Sequence, residues 1–459
     1  MKIFPDTKVY VACPGNIPTG GPELLHQFCS LLIQYGIEVY ICYIPFQNFN
    51  PENPVEDNYR KYCVPYVTNI HEDNPHDVLI MFETVGELYF SLNRIQKVFW
   101  WLSVDNYISN ISILVTRHKE NALANPLPKL FYFQDTEKDT EHWVQSEYAR
   151  QFVMLNGVHE KNIHVVEDYL SQTFLRKAAR IDLTQKEDAV LFNPRKGLHI
   201  TQRLIKLAPD IKWFPIQNMT PEQVQFVLSK AKVYIDFGNF PGKDRIPREA
   251  AISGCVVITG KRGAAGNDID INIPAEFKFD ETEEALKKAI EKIRYAFENF
   301  DEEYSKQKAF RERILDDKRR FENEVEEACN LKSTEKINAA ALWQGYNVKS
   351  YHLLRVLSGQ NFGIIPKFIV DDRLSNGQNE TGEFLTRKNN RNHFNIPDAN
   401  IDGGYGLPFI STDDAKFLYV EGRIKKFVLL MPDESEFKSL VEKISPEIKD
   451  IVVIGANQK

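Results

Sequence analysis

A chain of 459 residues is longer than one hydrophobic core usually supports, so domain sizes of about 100 to 200 residues put about three domains in it and exclude a single small module. With 43% hydrophobic and 26% charged residues it is neither disordered nor fibrous. A net charge of −7 argues against non-specific binding to nucleic acid or to an anionic membrane surface, so a polyanion would have to meet a local basic cluster.

The first apolar run, ending in Cys13, meets Pro14 and Gly15 instead of continuing as a signal-peptide core. No window approaches about 18 uninterrupted apolar residues. The expectation is a cytoplasmic protein with no transmembrane segment, whose membrane attachment would be peripheral. Cys13, Cys29, Cys42, Cys63, Cys255 and Cys329 are scattered without a C-x-x-C pair, as reduced core residues are. Short apolar runs then alternate with amphipathic stretches: KVYVACPG, PELLHQFCSLLIQYG, EVYICYIPF, DVLIMFET, KVFWWLSVD and KLFYFQD. This is the βαβ rhythm of a parallel sheet. Leu24, Leu25, Phe28, Leu31, Leu32 and Tyr35 recur at helical spacing, predicting a helix with one buried face that Gly36 ends.

A second α/β series starts near Asp188 with DAVLFNPRKG and continues through a helix after Gly197, the run IKWFPI, the helix PEQVQFVLSKA, the strand VYIDFG, the helix REAAISG and the strand VVIT. In the helix that follows, Leu286, Ala289, Ile290, Ile293 and Phe297 share a face. Glu283/Lys287 and Glu284/Lys288 support it, and Asp280 with Glu283 reads as a capping box. Mixed charges at helical spacing from Asn299 to Asn330 predict long exposed helices. Beyond Ser333 the strand and helix pattern returns around a polar stretch from Asn376 to Asn395. The boundaries drawn are 1–175, 176–332 and 333–459.

Several turns could carry chemistry. Cys13 to His26 is a Gly/Pro-rich strand-to-helix turn whose amides could approach an anion, although such glycines often serve geometry alone. Arg195, Lys196, Lys243, Arg245, Arg248, Lys261 and Arg262 all fall on loops or helix starts at the carboxyl side of predicted parallel strands, where open α/β sheets bind ligands. Such convergence in an acidic chain suggests a phosphate site. Glu249 suits a grip on ribose or sugar hydroxyls, or an ion pair with Arg245 or Arg248. Ile216 and Met219 fit a base pocket or plain packing. The D-x-D at Asp268 to Asp270 is read as coincidental, and no metal ligand set is expected.

Two successive Rossmann-like series, N-P-R-K-G at Asn193 to Gly197, and the unit R-E-A-x-x-x-G-C-x-V-I-T from Arg248 resemble the GT-B-fold glycosyltransferases of bacterial surface-polysaccharide assembly over roughly residues 1 to 330. The resemblance implies an α/β protein with two Rossmann-like domains facing across a cleft, plus a third small Rossmann-like domain. By it, Arg195, Lys196 and Gly197 contact the donor diphosphate, with Lys243, Arg245 and Arg248 in the same cation cluster. Glu249 holds the ribose, Ile216 and Met219 border the base, and the turn of Gly263, Ala264 and Ala265 lies beside the donor. Many retaining members carry a second glutamate eight positions earlier, where this chain has Pro241, so retention of configuration stays open. An inverting reaction needs a base in the first domain, and Glu23, His26, Glu83 and Asp105 are the candidates. Asp105 stands close to Trp100 and Trp101, which fit sugar stacking or a core.

The third region, with Trp343 to Ser350, Asp371-Asp372 and Gly406 to Ser411, resembles partial Rossmann-like accessory domains. Only Gly345 remains of the dinucleotide fingerprint, which favours docking or homo-oligomer formation over cofactor binding. The function expected is sugar transfer from a nucleoside-diphosphate sugar to a glycan or lipid-linked acceptor at the inner face of the membrane, with no required cofactor. A nucleotide-sugar epimerase or hydrolase on the same fold, and a non-catalytic scaffold of polysaccharide assembly, are the alternatives.

Overall fold

The computed structural model describes residues 1–45, 49–127, 129–135, 140–336, 339–343, 365–370, 372, 403–404, 407–430 and 451–454. Gly345, Asp371, Gly406 and the stretch from Asn376 to Asn395 lie outside the described residues.

Three sheets succeed one another along the chain. The first contains β1 (Lys8–Pro14), β2 (Glu38–Ile44), β3 (Tyr66–Val67), β4 (Val78–Phe82), β5 (Gln96–Trp101), β6 (Glu141–Val144) and β7 (Ile163–Val165), in the order β3-β2-β1-β4-β5-β6-β7. Its helices are α1 (Gly20–Gln34), α2 (Asp57–Arg60), α3 (Val104–Glu120), α4 (Glu147–Leu155) and, after the last strand, α5 (Gln172–Ala178). The second is wholly parallel: β8 (Glu187–Phe192), β9 (Lys212–Pro215), β10 (Ala231–Asp236) and β11 (Val256–Thr259), in the order β11-β10-β8-β9. Its strands alternate with α6 (Leu198–Leu207), α7 (Pro221–Lys230) and α8 (Arg245–Ile252), and α9 (Glu283–Glu298), α10 (Phe300–Lys306) and α11 (Lys308–Ala328) follow. The third sheet has β12 (Ala339–Trp343), β13 (Ile365–Val370), β14 (Gly403–Gly404), β15 (Leu407–Ile410), β16 (Lys426–Leu430) and β17 (Ile451–Ile454), in the order β14-β15-β13-β12-β16-β17, with α12 (Thr412–Val420). The α/β class and its three Rossmann-like sheets are therefore as the apolar rhythm predicts. Both faces of a parallel sheet are covered by helices, which is why its strands read as unbroken apolar runs.

Backbone proximity groups the chain into two compact units, Met1–Lys2 with Ile80–Leu331 and Ile3–Leu79 with Lys332–Lys459. In the second unit, α1 is buried nearly all round, His26, Gln27, Cys29 and Ser30 included, rather than on one face. One cause is that the segment after α12 reaches it: Gln34 donates to the Gly422 carbonyl and accepts from Arg423 at 3.0 Å.

Two local expectations change. The run Lys129–Asp135 ends in a short 3-10 turn, Phe133–Asp135, instead of a strand, and packs Phe131 and Phe133 against Trp101 and His142. Helix α9 is capped by Thr282, whose hydroxyl accepts from the Ala285 amide, while Asp280 pairs with Lys261 at 2.8 Å. The supporting pairs Glu283–Lys287 and Glu284–Lys288 close at 3.1 and 2.8 Å.

Candidate functional site

In the second sheet the chain runs from β8 outward to β9, then passes back beyond β8 to β10 and β11. The direction of winding reverses between β8 and β10, and a crevice opens outside the carboxyl ends of two strands at such a reversal. Two loops meet there. The turn Asn193–Gly197 follows β8, and the loop Phe237–Asp244 follows β10. Gly197 has φ +59°, and a Cβ on it would stand 2.2 Å from the Phe237 carbonyl oxygen; one on Gly238 would stand 2.5 Å from the Lys196 Cβ. The two loops can touch only because both positions are glycine.

The same loop after β10 touches two further turns. Gly263, at φ +54°, lies where a Cβ would meet the Phe240 carbonyl oxygen at 2.1 Å, and the buried Ala264 donates its amide to that oxygen at 2.8 Å. Val104 donates its amide to Pro241 at 3.1 Å, and a Cβ on Gly242 would fall 2.2 Å from the Leu102 carbonyl oxygen. The carboxyl ends of β5, β8, β10 and β11 thus converge on residues 237–242.

Two helices begin at the reversal, α6 behind Gly197 and α8 behind Asp244, and neither has a side-chain cap on its first amides. Unsatisfied amides with the positive end of a helix dipole favour an anion. Of the expected cations, the structure brings Arg195, Lys196 and Arg245 to these helix starts. Arg195 is exposed, its amide bonded to the Asn193 side chain at 3.0 Å. Lys196 forms an ion pair with Asp244, and Arg245 lies 3.9 Å from Glu249, one turn along α8. Lys261 and Arg262 sit on the turn after β11, paired with Asp280 and Glu281.

Lys243 and Arg248 do not join this group. Lys243 donates to Glu167 at 2.5 Å and to Asp317 at 3.0 Å; Arg248 donates to both oxygens of Asp168, at 2.6 and 2.8 Å, and to Asp317 at 3.2 Å. Both cations are buried, so they bind α8 to the chain after β7 and to α11 instead of reaching a phosphate. Their acidic partners lie more than 60 residues away in sequence, which is why local spacing could not reveal them. Ile216 is likewise core, with its amide bonded to Phe192 at 2.8 Å, whereas Met219 is partly buried at the turn before α7.

Two aspartates that the motifs did not flag stand at the reversal. Asp236 ends β10, accepting from the Gly238 amide and the Tyr234 hydroxyl, each at 2.9 Å. Burial, then the nearby Asp244 charge, pushes its carboxyl up to about 6. Asp244 is also raised by burial, against which Lys196 pulls it down. Its Oδ2 is buried with no hydrogen-bond partner among the described residues.

The candidate bases fare differently. His26 contacts the Pro22 carbonyl through Nδ1 at 2.7 Å and the Tyr43 hydroxyl through Nε2 at 2.9 Å, and burial pushes its pKa down to about 4. It is a neutral core histidine and not a catalytic one. Glu23 accepts from Tyr62 at 2.7 Å with Lys61 at 3.6 Å. Asp105 lies in the first turn of α3 and accepts from Tyr148 at 3.1 Å. Glu83 is buried, accepts from the Leu102 amide at 3.0 Å, and is raised to about 7 by burial, so it holds the start of α3. Trp100 and Trp101 are fully buried and serve the core, not a sugar.

The D-x-D residues have other work. Asp270 accepts from the amides of Glu147 and Tyr148 at 2.7 and 3.0 Å, capping α4 from a distance in sequence, and Asp268 pairs with Lys278 at 2.9 Å. No cluster of three acidic, histidine or cysteine side chains suited to a metal occurs among the described residues. In the glycine-rich first turn, a Cβ on Gly15 would meet the Phe49 ring at 2.5 Å, so close packing explains that glycine. Two residues beyond β13, Asp372 accepts from the Thr412 amide at 2.6 Å and from its hydroxyl at 2.8 Å, which engages both carboxylate oxygens within the protein.

No family model and no curated protein matches the sequence. The folded chain is similar to solved glycosyltransferases. HepE of Anabaena, crystallised with UDP-glucose, is 12% identical, with 71% of this chain and 99% of that one covered and a TM-score of 0.45. A glycosyltransferase of Rickettsia africae is 13% identical, with 72% and 98% covered and a TM-score of 0.47. WaaG, a glycosyltransferase of lipopolysaccharide biosynthesis, is 13% identical, with 71% and 100% covered and a TM-score of 0.42. At such identities the role of each residue rests on this chain's own geometry.

Proposed function

We propose that the protein is a glycosyltransferase that moves a sugar from a nucleoside-diphosphate sugar to a glycan or lipid-linked glycan acceptor in cell-surface polysaccharide synthesis. The observation that carries this reading is the meeting of two uncapped helix starts with Arg195, Lys196 and Arg245 at the winding reversal of the second sheet. A diphosphate is a ligand whose charge suits those helix starts and cations. Arg195, Lys196 and the first amides of α6 would hold it, Glu249 the ribose, and Met219 the edge of the base, with the Gly263–Ala264 turn beside the donor. The departing diphosphate gains charge as the glycosidic bond breaks, and fixed cations and amides stabilise that charge more than they stabilise the bound donor. This supplies the chemistry without a further cofactor.

The acceptor hydroxyl would give its proton to Asp105, in the first turn of α3. Peripheral contact with an anionic lipid surface is proposed through α3, which exposes Ile108 and Ile113 and carries Arg117, His118 and Lys119 in its last turn. Among the described residues no helix is long and apolar enough to cross a membrane.

A thermal-shift screen of uridine, adenosine and guanosine diphosphate sugars tests the donor. With the best of them in hand, Arg195→Ala combined with Lys196→Ala is expected to weaken nucleoside-diphosphate binding about 100-fold or more, since two charge-assisted bonds are lost, and nucleoside binding only slightly. Equal losses for both ligands would remove the phosphate assignment. Donor turnover without transfer to any added acceptor would instead favour a hydrolase or epimerase.

A further inference from the structure

The Lys196 ammonium is already engaged in this structure. It reaches from the turn after β8 to Oδ1 of Asp244, the residue that opens α8. Asp244 is a poor choice for a helix cap as it stands, because its side chain accepts from none of the first amides of α8. Its second oxygen is buried and has no partner among the described residues. Behind it sits Asp236, whose two oxygens are taken by the Gly238 amide and the Tyr234 hydroxyl.

The groups that bear on this pair come from several elements. They are Lys196 from the turn after β8, Tyr234 from β10, Arg248 and Glu249 from α8, and Asp168 from the chain after β7. Of the two cations, Arg248 is committed to Asp168 and Asp317. Lys196 therefore supplies the main neutralising charge for two neighbouring carboxyl groups.

We propose that the Lys196–Asp244 pair is an internal stand-in for the donor contact, and that the Asp236–Asp244 carboxyl pair takes up one proton from solvent when a nucleoside-diphosphate sugar draws Lys196 away. The inference rests on the diphosphate reading of this site. Two buried carboxylates deprived of their ammonium cannot both stay charged, because an uncompensated buried charge is far more costly than protonation. No covalent bond changes; one proton moves from water to a carboxylate oxygen. The upward displacement of Asp236 by burial and by Asp244 shows that the pair already holds its charge with difficulty while Lys196 is present.

The consequence is proton-linked binding. In the free protein Asp236, pushed up to about 6, is largely ionised above that pH, and the bound pair holds an extra proton, so affinity falls as pH rises further, by up to tenfold per unit. Asp244 is a positioning residue in this scheme, since it acts through Lys196.

The experiment is calorimetric titration of the full chain with the nucleotide sugar identified by the thermal-shift screen. Each of its phosphates carries one ester and shares the anhydride bridge, which leaves no second phosphate ionisation, so the ligand itself does not titrate between pH 6 and 8. Repeating the titration in buffers of different ionisation enthalpy gives the protons exchanged. The expected result for the wild type is uptake approaching one proton near pH 7.5. Asp244→Asn should abolish it and leave affinity flat from pH 6 to 8. Binding without proton uptake in the wild type overturns the inference and leaves the donor reading intact. Uptake that survives in Asp244→Asn also overturns it, and points to another group such as the exposed His199 on α6. Should no nucleotide sugar bind, the donor reading and this inference fall together. Where Asp244→Asn does not fold, Lys196→Gln serves. Its carboxyl pair would already hold the proton in the free protein, so uptake should vanish there too, and uptake equal to wild type would overturn the proposal.

Discussion

At Arg248 the guanidinium lies against Asp168 and Asp317, and all three are about 1% exposed. Burial disfavours its charge, but the two carboxylates outweigh that and hold its pKa above the ordinary value. Arg248→Met would leave both acids buried without this partner, which is expected to cost about 3 to 5 kcal/mol in urea unfolding at neutral pH. Two neighbouring glutamates have opposite pH signatures. Burial alone would raise Glu167, yet Lys243, Arg320 and Arg313 hold it down at about 2, against an ordinary value of 4.5. Its contribution is present above pH 4.5 and is lost as pH falls towards 2. Glu324 is raised to about 7 by burial and by Glu167, so the folded state binds more protons than the unfolded chain between pH 4.5 and 7. Stability drops across that window as pH rises, and the penalty is complete above 7. Glu324→Gln should accordingly stabilise the protein by about 1 to 2 kcal/mol at pH 8 and leave it nearly unchanged at pH 4.5. Parallel unfolding curves at both pH values would show that Glu324 is not the carrier.

Between elements, a single lysine gathers the ends of two helices. Lys186 is buried, and its ammonium donates to the carbonyls of Leu228, Ala231 and Ser253 at 2.7, 3.0 and 2.7 Å, the last turns of α7 and α8. A cation there satisfies carbonyls that no helical amide can reach and complements the negative ends of both dipoles. Lys186→Met keeps most of the packing and removes three hydrogen bonds. It should destabilise by about 2 to 4 kcal/mol, while nucleotide-sugar affinity, measured well below the melting midpoint, stays within about twofold of wild type. The site lies at the start of α8, the opposite end from Ser253, and at the start of α6, so a large loss of affinity would place the donor elsewhere. Helices α6 to α11 and the strands of the second sheet were legible in the sequence because each repeats its apolar residues at one period. The turns Asn193–Gly197 and Gly263–Ala264 were legible as turns, through their glycines and their place after apolar runs. What escaped was determined by distant partners. Lys243 and Arg248 look like Arg195 and Lys196 until Glu167, Asp168 and Asp317 fold against them. Asp270 reads as half of a metal motif until the amides of α4 arrive, and Asp236 and Asp244 read as ordinary polar ends of a strand and a loop.

At the scale of the molecule, the sequence divides the chain by sheets, but packing assigns Ile3–Leu79 and Lys332–Lys459 to one compact unit. The contact inside that unit is specific. Tyr62 meets the Phe417 ring edge-on at 5.3 Å between centroids, and the Lys61 ammonium stands 5.0 Å from the same ring. Arg423 bonds Gln34 on the neighbouring helix α1. Helix α12 thus covers the segment after α2, where Tyr62 also holds Glu23. Phe417→Ala would remove an aromatic pair and the apolar cover over Lys61, a loss of about 3 kcal/mol if the site cannot collapse. Its effect should be local in the sense of partial unfolding, and four of the five tryptophans, Trp100, Trp101, Trp143 and Trp213, lie in the other unit, while Trp343 at the end of β12 shares the unit of Phe417. Limited trypsin digestion should therefore cut after Lys61 at least several-fold faster in Phe417→Ala than in wild type, while the fluorescence of a Trp343→Phe background, whose four tryptophans all lie in the other unit, stays unchanged at the same temperature. Equal cleavage rates would mean that the third region gives the first helix no protection, and the division at residue 332 would then be the physical one.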